Sequence, residues 1–366
     1  MPKISVIMPI YNAEKYLRES LDSALLQSLG AIEVIAINDG SQDNCAAILQ
    51  DISQNEPRLR VLTQENQGVY AARNYGIREA AGEYIAFLDP DDCYPDTDVL
   101  ADLYDAANSN AVKICGGSWS KLAGKTLVTQ FAGQNTKFTF RRDGLMSYRN
   151  YQFDFGYQRF IFERNFLLEN GLFFPPYLRY QDPPFFVRAM LAAGKFYALR
   201  RVTYCYRWGH QKIRWDLPRT LALLDGLTEV LTTANMHKLD KLHRLTIRRV
   251  MQELPWTLAG NLTSQNPEIL ARLLRIERLI CPAFYPEGEA PSIAPLILDV
   301  LRTREKEIAR LGSVRGCLFY RVEEGLRTAG KGIADKLRRV LPYDVKEWII
   351  CAVPSTLRER ILRDGL

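Results

Sequence analysis

The stretch Tyr84-Ile85-Ala86-Phe87-Leu88-Asp89-Pro90-Asp91-Asp92 constrains the fold of this chain more than any other. A mostly apolar run passes straight into three carboxylates. Such a run suits a strand buried on both faces. Pro90 has no N–H and cannot extend a central strand, so the chain is expected to leave the sheet there. The acids then stand at the carboxyl end of a buried strand, the edge where open α/β sheets bind ligands. Carboxylates this close repel one another unless a cation lies between them. Oxygen-only donors suit Mg²⁺ or Mn²⁺, which in turn can hold a phosphate. The plainer reading is an acidic turn in which Asp92 caps the helix near Pro95.

The surrounding pattern supports an α/β class. Strands are expected over 3–9, 32–38, 59–63, 83–88 and 112–117, and helices over 13–29, 44–54, 68–81 and 97–109. This alternation predicts a mostly parallel, Rossmann-like sheet with helices on both faces. Beyond Gly116 the regularity breaks. Residues 119–140 read as a β-hairpin or mobile loop, 143–149, 164–170 and 184–193 as short helices, and 196–206 as a strand. From Asp216 the pattern is mainly helical. A chain of 366 residues suits two domains, expected here at 1–215 and 216–366.

Composition narrows the partners. The start runs directly into a strand pattern with no signal-peptide character, and no run of 18 apolar residues occurs, so a cytoplasmic protein without a membrane span is expected. Seven scattered cysteines without a C-x-x-C pair indicate neither a zinc site nor a disulfide framework. The net charge of +6 is concentrated in residues 302–366, which carry 15 Lys and Arg against 9 Asp and Glu. A balanced body with a basic tail argues against nucleic acid as a partner. The tail alternates basic and apolar groups. It reads either as an interfacial segment lying against anionic lipid on the inner face of the cytoplasmic membrane, or as a solvated helical face or oligomer contact.

Four motifs, in order, are Ser-Val-Ile-Met-Pro-Ile-Tyr-Asn (5–12), Ile-Asn-Asp-Gly-Ser (37–41), Asn-Gln-Gly-Val-Tyr-Ala-Ala-Arg-Asn-Tyr-Gly (66–76) and Phe-Leu-Asp-Pro-Asp-Asp (87–92). Together they resemble the family 2 glycosyltransferases, inverting, sugar-nucleotide-dependent enzymes of GT-A fold. The resemblance covers about residues 1–215. It implies a UDP-sugar donor, a divalent metal (Mn²⁺ or Mg²⁺), and a glycan or lipid-linked acceptor in bacterial surface polysaccharide synthesis.

Residue by residue, it places Pro9, Tyr11 and Asn12 beside the nucleotide base and Asp39 on the uracil N–H. Asp39 otherwise reads as a turn residue held by neighbouring amides. Arg73 would meet a base edge or the diphosphate, or else stand as an exposed helix arginine. Asp89 would bind the ribose hydroxyls and Asp91 the metal, with Asp92 a supporting partner or a cap. Tyr180-Gln181-Asp182-Pro183 resembles the segment whose aspartate is the general base. Asp182 takes that role here, or is a plain helix cap, and Gln181 stands where a glutamate is usual. Tyr204-Cys205-Tyr206-Arg207-Trp208-Gly209-His210 resembles the segment closing the catalytic domain, with His210 the candidate to complete the metal shell and Trp208 placed to shape the acceptor pocket. Two rival classes are a non-catalytic nucleotide-binding scaffold and a sugar nucleotidyltransferase. The second lacks its expected glycine-rich loop, since the residues after the first strand are Ile10-Tyr11-Asn12-Ala13.

Overall fold

The computed structural model describes residues 1–123, 126–131, 133–209, 215–259 and 267–297. The chain divides into two compact units, Met1–Ile213 and Arg214–Leu366.

The first unit opens with β1 (Ile4–Ile10), α1 (Glu14–Leu25), β2 (Ile32–Asp39), α2 (Cys45–Ser53), β3 (Leu59–Gln64), α3 (Val69–Glu79) and β4 (Tyr84–Phe87). Every residue of β1, β2 and β4 is buried, as apolar runs covered on both faces require. Next come α4 (Val99–Ser109), β5 (Ile114–Ala123), β6 (Thr126–Val128), β7 (Gly144–Ser147) and α5 (Tyr148–Tyr151). The unit ends with β8 (Phe160–Glu163), α6 (Arg164–Glu169), α7 (Asp182–Ala193) and β9 (Lys195–Arg207). One sheet runs β3-β2-β1-β4-β8-β5-β9-β7, with β6 paired to β5. Strands β1 to β5 and β9 point one way and β6, β7 and β8 the other, so the sheet is mostly parallel.

Chain order along the sheet reverses at β1. Strands β2 and β3 lie on one side of it and β4 on the other, so the connections leave in opposite directions and open a crevice at the strands' carboxyl ends. β1 was expected to stop at Pro9 but continues to Ile10. The reason lies in its neighbour. The Ile7 carbonyl accepts from Leu88 N at 3.0 Å, and β4 ends beside it. Residues two apart face the same edge of a strand. Pro9 therefore turns its missing N–H toward the side β4 has already left, while its place opposite Ile37 on β2 is kept.

The segment 143–149, expected as a helix, is mostly strand. Gly144–Ser147 pairs antiparallel with the start of β9, Leu145 opposite Tyr197, and helix begins only at Tyr148. Ladder bonds available at an open sheet edge outweighed local helical preference.

Helix α3 lies close to the sheet because position 76 is glycine. A Cβ there would come within 2.5 Å of Ile7 Cγ2 and 3.1 Å of Ile37 Cδ1. Gly76→Ala should improve helix propensity by about 1 kcal/mol and still destabilise, because overpacking against short β-branched side chains costs about 1–3 kcal/mol. Chemical denaturation reads the sign; a more stable variant would contradict the packing account.

The second unit contains α8 (Leu217–Met236), α9 (Asp240–Ala259) and α10 (Pro267–Leu279). Asp216 caps α8, its carboxylate accepting from Arg219 N at 2.9 Å. His243 is fully buried between Asn235 and the Cys281 amide, and burial, with Arg244 beside it, pushes its imidazole down to about 4. It is a neutral core group. No described helix is long and apolar enough to cross a membrane.

Candidate active site

Arg73 and Asp89 form an ion pair beside the point where the chain order of the sheet reverses. Helix α3 carries Arg73 and the turn after β4 carries Asp89, with Arg73 Nη2 2.7 Å from Asp89 Oδ1. The guanidinium lies over the rings of Tyr157 and Phe174, each centroid 5.2 Å away. Arg73 is only 5% exposed, so it is not a solvated helix arginine. Its Nε and Nη1 are buried and make no hydrogen bond among the described residues. Gln158 Nε2 donates to the second Asp89 oxygen at 3.1 Å.

The acids after β4 were expected to need a cation between them. The protein relieves part of that repulsion itself. Arg73 offsets Asp89. Asp92 is buried, accepting from Tyr204 Oη at 2.6 Å and Arg207 N at 2.7 Å. Tyr204 Oη also accepts from Asp89 N at 3.2 Å, so one phenol from β9 winds the turn around itself. Burial, then the charges of Asp89 and Asp91, push the Asp92 carboxyl well above its usual range despite those bonds. Asp92 does not cap α4; Asp98 occupies that position. Asp91 is half-buried, and its carbonyl accepts from Arg207 Nε at 2.8 Å.

Among the described residues no three His, Cys, Asp or Glu side chains are grouped to hold a metal by themselves. A hard ion such as Mg²⁺ commonly keeps waters and binds through one or two carboxylates plus substrate phosphates, so a full protein cage is not what it requires. Within the turn Asp92 is buried and Asp91 only half-buried, so Asp91 is the more accessible of these two acids to such an ion. His210 lies outside the described residues.

At the ends of β1 and β2 the expected base-binding residues come together. Tyr11 is half-exposed at 50%, its ring available for stacking. Asn12, with φ +50°, is spent on the fold: its Oδ1 accepts from Gln42 N at 2.8 Å and its N–H donates to Ser41 Oγ. Pro9 is buried in β1. Asp39 is 3% exposed and accepts from Gln64 Nε2, Gln67 N and Gly68 N at 2.7, 2.9 and 2.9 Å. Gly68 sits at φ +90°, a conformation open to glycine, and that turn aims its amide at Asp39. These amides come from the turn before α3, 28 and 29 residues on, and not from Asp39's own chain neighbours, as the local turn reading expects. A carboxylate has about four acceptor positions, and these three bonds leave one on Oδ2.

Asp182 is the first residue of α7, followed by Pro183 and Pro184, which the first turn of a helix tolerates. Burial raises its carboxyl above the ordinary range, and the Arg73 charge pulls it partly back. Asp89 also acts on it, so Asp182 shares one electrostatic site with the Arg73–Asp89 pair. Its approach is strained: Tyr180 holds φ +67°, and its hydroxyl reaches Asp154 Oδ2 at 3.5 Å. The preceding loop is fixed on both sides. Asn74 on α3 exchanges two 2.8 Å bonds with the Phe174 backbone, and Arg188 Nη2 donates to Phe173 O at 2.6 Å. Tyr204 and Arg207 lay inside a recognised segment without a role attached. Gln158 carries no local signal, since only the β8 approach brings it to Asp89.

A family model described as Glycosyl transferase family 2 matches residues 5–168. Among the similar proteins, the uncharacterized glycosyltransferase EpsJ of Bacillus subtilis is 32% identical over 212 residues, 57% of this chain and 61% of that protein. The uncharacterized glycosyltransferase YibD of Escherichia coli is 36% identical over 191 residues, 49% of this chain and 54% of that one. The chain thus spans between half and two thirds of the length of these two relatives. Of solved structures, S. aureus TarS 1–349 in complex with UDP-GlcNAc superposes with a TM-score of 0.64 at 19% identity, over 89% of this chain and 92% of that one. The mannosyltransferase PcManGT from Pyrobaculum calidifontis, in complex with GDP-Man and Mn²⁺, gives 0.52 at 15% identity, over 100% of this chain and 88% of its own. These likenesses show the fold.

Proposed function

We propose, from the premise that residues 5–168 of this chain are a glycosyl transferase family 2 domain, that the protein is an inverting glycosyltransferase moving a sugar from a UDP-sugar to a hydroxyl of a glycan or lipid-linked acceptor in bacterial surface polysaccharide synthesis. The observation that carries this reading is the shared site of Arg73, Asp89 and Asp182 at the reversal of the sheet. Among the described residues, two nitrogens of this buried guanidinium make no hydrogen bond, an arrangement costing about 1–3 kcal/mol per buried group unless a ligand accepts from them. A nucleotide supplies such acceptors.

In this reading Tyr11 stacks on the base, and the remaining Asp39 position accepts its N–H. Asp89 meets the ribose hydroxyls. Asp91, with His210 as a second candidate ligand, holds Mg²⁺ or Mn²⁺, which when bound offsets the charge of the departing diphosphate. Asp182 takes the proton from the acceptor hydroxyl as that oxygen attacks the sugar on the face opposite the diphosphate, and the configuration inverts. A carboxyl raised by burial is a stronger base than an exposed one, which suits the step. Support for nucleotide chemistry comes from the UDP-GlcNAc and GDP-Man complexes of the neighbours. Support for the pathway comes from a 47% identity over 91 residues to the Bacillus subtilis minor teichoic acid biosynthesis protein GgaB, 24% of this chain and 10% of that one.

A panel of nucleotide-sugars with Mg²⁺ or Mn²⁺, scored for nucleotide release, tests the activity. Release of UDP from one donor, quickened by an acceptor, is expected. Binding of UDP without release from any donor would leave a scaffold instead.

The basic tail, 302–366, lies outside the described residues. Its proposed contact with anionic lipid rests on charge, at about 1 kcal/mol per basic residue near the surface. Full-length protein should float with vesicles rich in phosphatidylglycerol at low salt, and protein lacking 302–366 should not. Equal flotation of the two would remove the membrane contact.

A further inference from the structure

We propose that Gln158 is a positioning residue for nucleotide recognition. It fixes the plane of the Asp89 carboxylate so that one acceptor position on each oxygen is kept for the paired hydroxyls of a ribose, and the site then selects ribonucleotides over 2′-deoxyribonucleotides. The inference rests on Asp89 being the acid that meets the ribose.

The backbone of Asp89 is held from two sides. Its N–H donates to Tyr204 Oη on β9 at 3.2 Å, and its carbonyl accepts from Ser20 Oγ on α1 at 3.1 Å. Backbone contacts do not set the carboxylate, because the last side-chain torsion of aspartate is broad and roughly two-fold. Arg73 bonds one oxygen only, at 2.7 Å, and a single bond leaves the plane free to swing about it. The Gln158 bond to the other oxygen, at 3.1 Å, removes that freedom. A carboxylate offers about four acceptor positions, so these two bonds leave one on each oxygen. The Asp89 side chain keeps 18% of its surface exposed, so it is not sealed from a ligand. Two acceptors on one fixed plane match two vicinal hydroxyls, as a bidentate carboxylate matches two parallel donors.

Gln158 is itself firmly placed. It is the middle residue of the one-turn 3₁₀ helix Tyr157–Arg159. Tyr157 on one side is buried, its ring 5.4 Å from that of Phe87 on β4. Arg159 on the other is fully buried and donates to Gly117 O at 2.9 Å and Phe138 O at 2.7 Å. The half-buried residue between them has little room to drift. Its chemistry is specific as well. An ionised Asp89 is acceptor-only, so the amide turns its NH₂ toward it. A neutral donor steadies the carboxylate without adding to the charge that Arg73 already supplies. Glutamate in the same place would have no donor at neutral pH and would set a second negative charge against the first.

The test measures binding of UDP and 2′-deoxy-UDP to the full chain with Mg²⁺ by calorimetry. Wild type should bind UDP about 10–100-fold tighter than the deoxy compound, the effect of one hydrogen bond to a charged acceptor. Gln158→Ala and the isosteric Gln158→Glu should each bring that ratio to about threefold or less, by weakening UDP more than 2′-deoxy-UDP. Asp89→Asn should do the same. Adding Gln158→Ala to Asp89→Asn should lower the ratio no further, because Gln158 acts through Asp89. A purely structural role would weaken both nucleotides equally. The wild-type ratio kept in both single Gln158 variants, whether or not affinity falls, would overturn the inference. A ratio kept in Asp89→Asn, or near one in wild type, would remove the ribose role of Asp89 and this inference with it. A chain that binds neither nucleotide loses the nucleotide site itself.

Discussion

Asp182→Asn should lower the rate of sugar transfer by about 10²–10⁴ while leaving UDP affinity within about twofold. The amide keeps the shape at the start of α7 but cannot accept a proton from the acceptor. The pH profile sharpens the test. The carboxylate form is the active one, and burial raises its folded-state value. Activity should therefore fall, as pH drops, at a higher pH than an ordinary aspartate would give. Stability runs the other way. A carboxyl that holds its proton more tightly folded than unfolded favours folding while protonated, and that advantage is lost as pH rises through the raised value. At neutral pH the ionised group is a cost, so Asp182→Asn should melt no lower than wild type, and higher if Asn finds partners. Near wild-type transfer by this variant would remove the base assignment.

Asp91→Ala and Asp92→Ala should separate function from stability within one turn. Asp91→Ala should weaken Mg²⁺- or Mn²⁺-dependent UDP binding by about 10–100-fold. Asp92→Ala should act on the fold first. It strips the acceptor from Tyr204 Oη and Arg207 N, which costs about 1–3 kcal/mol per buried orphan. Part of that loss is offset, because burial and the charges of Asp89 and Asp91 already disfavour ionised Asp92. Metal titration by calorimetry and urea denaturation read the two effects. Metal dependence kept in Asp91→Ala, together with full stability in Asp92→Ala, would reverse the roles given to them.

The site was legible where its chemistry is written in consecutive residues. Asp89, Asp91 and Asp92 follow an apolar run that has to be a buried strand, and Asp182 precedes two prolines that mark a helix start. It was not legible where partners come from distant strands. Nothing near Asp92 announces Tyr204, which is 112 residues away and arrives because β9 crosses beside the turn. Gln158 reaches Asp89 from 69 residues away in the same manner. The helix expected over 143–149 failed for a related reason, since the pairing of Gly144–Ser147 with β9 is a non-local choice.

Periodicity and residue type determined the α/β class, the order of strands and helices, and the position of the acids at a strand's carboxyl end, because each follows from burial of neighbouring side chains. Only the tertiary structure decided which partners the acids meet. Arg73 balances Asp89, Tyr204 and Arg207 draw Asp92 inward, and Asp91 stays half-buried. A carboxylate's role depends on its desolvation and on the charges and donors around it, and those are set by segments that meet only when the sheet is assembled.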